Sequence, residues 1–462
     1  MKFLIRFSPL QFIFLLLLAS LSPATGHPQG RNSTVVFPIK ASENKRYFVD
    51  QEGLPFFYHA ETGWQIFTKL TTEEALEYLQ ARRAQGFNAV QTQLATTPKD
   101  VNRYNQRPFH NDNDFSQPNE AYYDHIKGIV AKADSLGLLI VISAPWLDCC
   151  RGGFGMGAEK PYQKNGTLKS LEYGKYLGNT FKQFKNIMWI MGGDNDPGQD
   201  RQSIEQLAIG LKETAPHQMI TYHAAATHSS TDLFHYASWL DFSMVYTYWR
   251  HKSNIWLPSD QVPEVYEVCL KEYNKSDHMP FILGEAQYEG SSGNNAGTPD
   301  QVRRQAYWTM LSGGSGHAYG SEIYGFPANW REKLKNPGAR QMEYFIDIFN
   351  TLPWWQLIPD QKHQFVSKGF GEYGKLNYVT AAVTGDKRLA VIYMTSRQTI
   401  TVDLAKLVGS TIETAWYNPR DGMLITAGTF SKKTMHTFIP PAVGDWVLLF
   451  KDSLYDLMMF VR

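Results

Sequence analysis

Between about residue 55 and residue 350, short apolar runs alternate with stretches of helical period, and this alternation constrains the fold more than any other feature of the chain. Residues 55–58, 87–91, 138–143, 187–191, 219–222, 244–248, 281–284 and 317–319 read as eight strands. Helical stretches such as 71–85, 119–136 and 168–184 separate them. Runs like Leu138 to Ser143, apolar and β-branched without alternation, suit strands buried on both faces. Eight such units over ~300 residues predict a (β/α)8 TIM barrel. The alternative, an open doubly wound sheet, lacks a Gly-rich phosphate turn after its first strand. Beyond Pro353-Trp354-Trp355 the helical period disappears. Residues 379–383, 389–394, 399–404, 413–417 and 446–450 are short period-2 strands with Gly/Asp turns, which predict a small C-terminal all-β sandwich.

The first 26 residues are of another kind: Lys2 and Arg6 precede the apolar run Phe12 to Ala19, and Ala24-Thr25-Gly26 offers small residues for cleavage. This is the pattern of a signal peptide; the apolar run is too short for a membrane anchor, which needs ~20 residues. The expected organisation is therefore a signal peptide over 1–26, a catalytic barrel over 27–352 and a sandwich over 353–462, with the mature protein secreted or periplasmic and no membrane contact after cleavage. Asn32, Asn165 and Asn274 stand in sequons for N-glycosylation. Lys+Arg 45 against Asp+Glu 44 argues against a nucleic-acid partner held by phosphate charge. Cys149, Cys150 and Cys269 support neither a disulfide framework nor a zinc spacing, so buried thiols or one long-range bridge are expected. No metal and no cofactor is expected. The oligomeric state stays open.

Reactive groups of a TIM barrel sit where its strands end. The fourth strand runs into Gly192-Gly193-Asp194-Asn195-Asp196 and the seventh into Gly284-Glu285-Ala286-Gln287-Tyr288-Glu289. Each puts a carboxylate directly after a hydrophobic run and a glycine, and strands four and seven face each other across the mouth. Two converging carboxylates are what glycosidic hydrolysis needs, one protonated and one ionised. The bland reading is that acids here merely cap the following helices. Aromatic and His side chains recur at other strand ends: Glu61 with Trp64, Trp146, His223, Tyr248 with Trp249, and His317 with Tyr319. Sugars have apolar faces and hydroxylated rims, so such a set suits an oligo- or polysaccharide substrate.

Taken together, Gly86 to Gln91, Met188 to Asp194, Thr221-Tyr222-His223, Trp239 to Phe242, Gly284-Glu285 with Tyr288-Glu289, Tyr307-Trp308, Gly313 to Gly320 and Asn336 to Ala339 resemble the apiosidase-like glycoside hydrolases. That family couples a TIM barrel to a sandwich labelled as a collagen-binding domain of a collagenase. The resemblance implies Asp194 as acid/base and Glu285 as nucleophile of a retaining glycosidase, with Asp196 the rival acid. Glu61, Trp64, Trp146, His223, Tyr248, Tyr288, His317 and Tyr319 are the candidate substrate contacts, with Tyr288 or Tyr248 orienting Glu285. Where the family has an Asp-Thr pair after the first strand, this chain has Glu61-Thr62, which bears on specificity for apiose. Pectic side chains are the implied substrate. A non-catalytic carbohydrate- or matrix-binding protein on the same scaffold is the alternative. The sandwich is expected to support the barrel, with Trp354 and Trp355 buried between them.

Overall fold

A computed structural model describes residues 35–111, 113–148, 153–155, 160–247, 264–290, 296–432 and 435–455. The signal-peptide reading and Cys149 and Cys150 lie outside them. Eight parallel strands form the expected barrel: β1 (Tyr58–Thr62), β2 (Ala89–Gln93), β3 (Leu139–Ser143), β4 (Ile187–Gly192), β5 (Ile220–His223), β6 (Ser243–Tyr246), β7 (Phe281–Glu285) and β8 (Gly316–Tyr319). Every residue of these strands is buried, which is why the sequence shows apolar runs rather than alternation. One face points into the lumen, where Tyr58, Ala60, Ala89, Leu139, Val141, Met188, Ile190, Met244, Ile282 and Ala318 pack together. The other face meets the surrounding helices. A small antiparallel sheet (Lys40–Ala41, Phe48–Val49 and Pro55–Phe56) closes the bottom, its Phe48 ring edge-on to Phe242 at 5.4 Å.

The helices follow local rules. Helix α1 (Thr72–Ala84) opens with a capping box, Thr71 Oγ1 accepting from the Glu74 amide at 3.2 Å and Glu74 Oε2 from the Thr71 amide at 3.1 Å. Helix α2 (Pro161–Phe181) starts earlier than the sequence period suggests. Pro161 occupies its first turn, and Gly166, at φ 63°, interrupts the helical backbone inside it. Asn165 braces that interruption: its Nδ2 donates to Asn113 O at 2.6 Å and to Pro161 O at 2.8 Å. This sequon side chain is thus a structural tie.

The ladder runs β5-β4-β3-β2-β1-β8-β7-β6. Between β5 and β6 there is a seam, filled by the segment 227–230. Thr227 N donates to Tyr246 O at 2.7 Å, and Ser230 Oγ donates to Tyr222 O at 2.6 Å while accepting from Met244 N at 2.7 Å.

Past helix α3 (Pro337–Phe349) the chain enters the sandwich. A six-stranded antiparallel sheet, in the order Leu357–Pro359, Thr380–Thr384, Leu389–Met394, Trp446–Asp452, Thr411–Tyr417, Leu424–Ser431, faces a three-stranded one of Val366–Lys368, Ile400–Asp403 and Met435–Phe438. The outer face of the larger sheet packs on the barrel. Tyr393 stacks on Tyr307 at 4.7 Å, and Arg303 forms a buried two-pronged ion pair with Asp445, both N–O distances 2.7 Å. Trp354 is buried edge-on against Phe57 at 5.0 Å, whereas Trp355 is only half-buried. Cys269 is a buried free thiol, its pKa pushed up to about 12 by burial.

Candidate active site

Backbone geometry explains how the two carboxylates reach the mouth. At the end of β4, Gly192, Gly193 and Asp194 all have positive φ (77°, 133° and 58°). A Cβ on Gly193 would stand 2.3 Å from the Trp146 ring and one on Gly192 2.4 Å from Tyr222, so only glycine fits either place. Asp tolerates the left-handed region better than most residues, and the turn is held by Gly193 N donating to His223 O at 3.0 Å. At the end of β7, the pairing steps from Leu283↔Val245 to Glu285↔Tyr246. Gly284 is the extra residue of a bulge, and such bulges re-aim the next side chain.

These turns bring Asp194 and Glu285 together with His223 from β5; one ligand atom of each lies within 4.8 Å of the others. Glu285 accepts on both oxygens, from Tyr288 Oη at 3.0 Å on Oε1 and from His223 Nε2 at 2.7 Å on Oε2. Trp64 Nε1 donates in turn to Tyr288 Oη at 2.6 Å. The Asp194 amide donates to His223 Nδ1 at 3.2 Å, and Ala224 O lies 3.1 Å from the same nitrogen. Nδ1 thus has both a donor and an acceptor in reach, so the ring can carry one proton or two. Burial pulls the His223 pKa down, but the bond and charge of Glu285, with Asp194 behind them, leave it above the ordinary value.

Asp194 is pushed up to about 7, first by burial and then by the charge of Glu285, against weaker opposition from His223 and a hydrogen bond from Tyr246. The residue is nevertheless half-buried, with a path to solvent. Trp146, Trp64 and Tyr246 wall the cluster: Trp64 and Trp146 lie 5.1 Å apart, and His223 lies 5.1 Å from Trp146 and 4.7 Å from Tyr246. The same Asp194, His223 and Glu285 are the grouping among the described residues whose spacing would fit a metal ion. A hydrogen bond already links His223 to Glu285 there.

Asp196 is turned away. Its carboxylate pairs at 2.9 Å with Nδ1 of His228, on the segment that fills the β5–β6 seam, and accepts from the Ala225 amide at 3.2 Å.

Of the expected sugar contacts, Trp64, Trp146, His223 and Tyr288 gather around the pair, while Tyr248 lies outside the described residues. Glu61, His317 and Tyr319 sit on the outer face of their strands and do not join the cluster, which corrects the expectation for them. Glu61 forms a buried ion pair with Arg82 and accepts from Tyr78 Oη at 2.6 Å. His317 is stacked on His59 at 5.3 Å and on Phe345 at 5.0 Å, and burial lowers its pKa to about 3. Tyr319 donates to Glu289 Oε2 at 2.5 Å, and Glu289 Oε1 caps the start of α3 by accepting from Gly338 N at 2.9 Å. Sequence reasoning missed Tyr246 and also Asp148, whose charge helps raise Asp194. A period of two along the apolar run Met244 to Tyr248 gives Tyr246 and Tyr248 the same parity, so the sequence pattern alone could not choose between them.

Among the described residues no helix is long and apolar enough to cross a membrane. A family profile described as "Apiosidase-like, catalytic domain" matches residues 42–356, and one described as "Putative collagen-binding domain of a collagenase" matches 358–451. No curated protein matches the chain. Among solved structures, one titled "Glycoside hydrolase" superposes with TM-score 0.81 at 25% identity, covering 92% of this chain and 100% of its own. A glycoside hydrolase family 5 structure from Bacteroides vulgatus does so with TM-score 0.81 at 25% identity, covering 92% of this chain and 96% of its own.

Proposed function

The chain belongs to the apiosidase-like family and is a glycosidase, and from that premise we propose that it works by retention, with Glu285 as nucleophile and Asp194 as acid/base. The observation that carries this reading is the asymmetry of the pair. Glu285 is held by donors on both oxygens, which fixes its carboxylate in place facing Asp194. Asp194, pushed up to about 7, keeps a proton to give near neutral pH. Their separation, within 4.8 Å atom to atom, suits direct attack at ≈ 5–5.5 Å better than the ≈ 6.5–9.5 Å that leaves room for an inverting water.

In the first step a Glu285 oxygen bonds the anomeric carbon as the glycosidic C–O bond breaks and Asp194 passes its proton to the leaving oxygen. In the second, ionised Asp194 takes a proton from water as that water displaces Glu285. His223 and Tyr288 release Glu285 charge in the first step and recover it in the second. We further propose an exported enzyme acting on plant-type pectic side chains, with apiose the first sugar to test. Collagen cleavage has no support in this geometry. The non-catalytic alternative is set aside by the family to which the chain belongs.

A substrate with an activated leaving group tests the roles. Asp194→Ala should form the glycosyl-enzyme and stall, with azide giving a glycosyl azide of retained configuration. Glu285→Ala should fail at the first step and give at most an inverted azide. Stalled, azide-rescued behaviour in Asp196→Ala but not Asp194→Ala would move the acid/base assignment. Release of apiose from pectic oligosaccharides, absent for other sugars, tests the substrate.

A further inference from the structure

A groove of ≈ 540 Å³ lies where the sandwich meets the barrel, lined by Arg46, Tyr47, Tyr273, His278, Trp354 and Trp355 among others. His278 precedes β7, and Gly313 and Gly314, also in its wall, precede β8. The groove is therefore at the bottom of the barrel, a strand length away from Asp194 and Glu285. Its volume falls in the range of small-ligand sites, ~300–1,000 Å³.

The lining has a definite chemistry. Trp354 is sunk into the junction, and Trp355 stands edge-on to it at 5.9 Å with its own ring half-open. Neither indole N–H has a hydrogen-bond partner among the described residues. Arg46 lies over the Tyr273 ring at 4.3 Å and gives one donor to Tyr273 O at 2.7 Å. A guanidinium has five donors, and among the described residues no carboxylate pairs with this one. No Asp or Glu lines the groove, and the amides of Asn44 and Gln356 and the His278 imidazole add further polar groups. Flat aromatic faces take the apolar faces of sugar rings, and an unpaired guanidinium takes a carboxylate.

We propose that this groove is a second carbohydrate site, taking a uronate-bearing sugar chain with a ring on Trp355 and its carboxylate on Arg46. Binding at the bottom leaves the mouth free, so an acidic polymer tethers the enzyme without competing for the catalytic pair. The site is independent of which sugar the mouth releases.

The test is gel electrophoresis through immobilised polymer, using the full chain carrying Glu285→Gln so that nothing is consumed. Polygalacturonate should retard this protein, and neutral arabinan and glucan should not. Adding Trp355→Ala should weaken the retardation about tenfold. Should that variant melt early, Gly385→Glu serves instead: a Cβ there meets only Ile358 Cδ1, at 3.8 Å, so the side chain fills the groove without touching the core. It should abolish retardation at an unchanged melting temperature. Absence of retardation by polygalacturonate, equal retardation of the Gly385→Glu protein, or a preference for neutral polymers would overturn the proposal. So would a solution dimer that Trp355→Ala converts to monomer, which would make the groove a contact between copies of this chain.

Discussion

Two barrel strands end in buried glutamates that meet opposite surroundings. Glu61, at the end of β1, turns outward and finds the Arg82 guanidinium, with Tyr78 as a further donor. Glu285, at the end of β7, turns to the mouth and finds Tyr288, His223 and, as its charged neighbour, another acid. Arg82 matches Glu61 in charge and in fork geometry, so that pair is closed to further chemistry. Glu285 is oriented without being neutralised by a permanent cation, and its charge is exported to Asp194 as a raised pKa. Burial alone therefore does not make a carboxylate reactive. A desolvated acid facing another acid, with only neutral or titratable donors around it, is poised to react; the same acid facing an arginine is a strut.

The largest effect should come from removing the reactive member: Glu285→Ala should lower turnover of a natural glycoside about 10⁴-fold or more with an unchanged melting temperature. Next is the junction. Residues 27–352 without the sandwich leave Arg303 and Tyr307 uncovered and should be insoluble or markedly less stable; a soluble, fully active truncation would show the sandwich to be dispensable. On the strut side, Glu61→Ala leaves Arg82 buried and unpaired and should cost about 3–5 kcal/mol in denaturant unfolding while the surviving folded protein keeps its turnover. A stable Glu61→Ala protein that is catalytically dead would erase the contrast between the two acids.

The pH dependence sharpens the contrast further. Asp194 rises from an ordinary 3.8 to about 7. A raised folded pKa favours the protonated form, so its contribution to stability is present below about 4 and is lost as pH climbs to about 7. Relative to Asp194→Asn, the wild type should therefore lose melting temperature over that interval. Turnover of substrates needing protonation should fall above about 7, and activated leaving groups should remove that limb. The smallest effect belongs to Tyr246→Phe. Its hydrogen bond holds the Asp194 pKa down, so the alkaline limb should move upward by a fraction of a pH unit.

Much of this was legible in the sequence for one reason: strands covered on both faces must be apolar throughout, as Leu139–Ser143 and Ile187–Gly192 are. The sandwich was legible only where it is buried. Leu389–Met394 is buried throughout, but Leu424–Ser431, an edge strand carrying Gly428 with five positions partly exposed and three fully exposed, offers little apolar signal. The ends of β4 and β7 pointed to Asp194 and Glu285 because a glycine beside a strand-end acid marks a sharp turn. Which way the other strand ends face was not legible. A one-residue step flips a side chain from lumen to helix layer, and with both layers apolar nothing in Tyr58-His59-Ala60-Glu61 or Gly316-His317-Ala318-Tyr319 announces the parity. Ala60 and Ala318 turned out to hold the lumen, leaving Glu61, His317 and Tyr319 outside.

The seam between β5 and β6 has a mechanical consequence. At seven joints of the ring neighbouring strands pair directly; the eighth is the segment 227–230, carrying the Ser230 hydroxyl. His223 hangs from one side of that joint and Tyr246 from the other, and Asp196 ties the filler to the turn that carries Asp194. A hoop with one soft joint yields there first, and along one direction only. Small changes in the spacing of the catalytic groups are thus concentrated between Asp194 and His223, carried on the β4–β5 side of the joint, and Tyr246 and Glu285, paired with each other on the β6–β7 side.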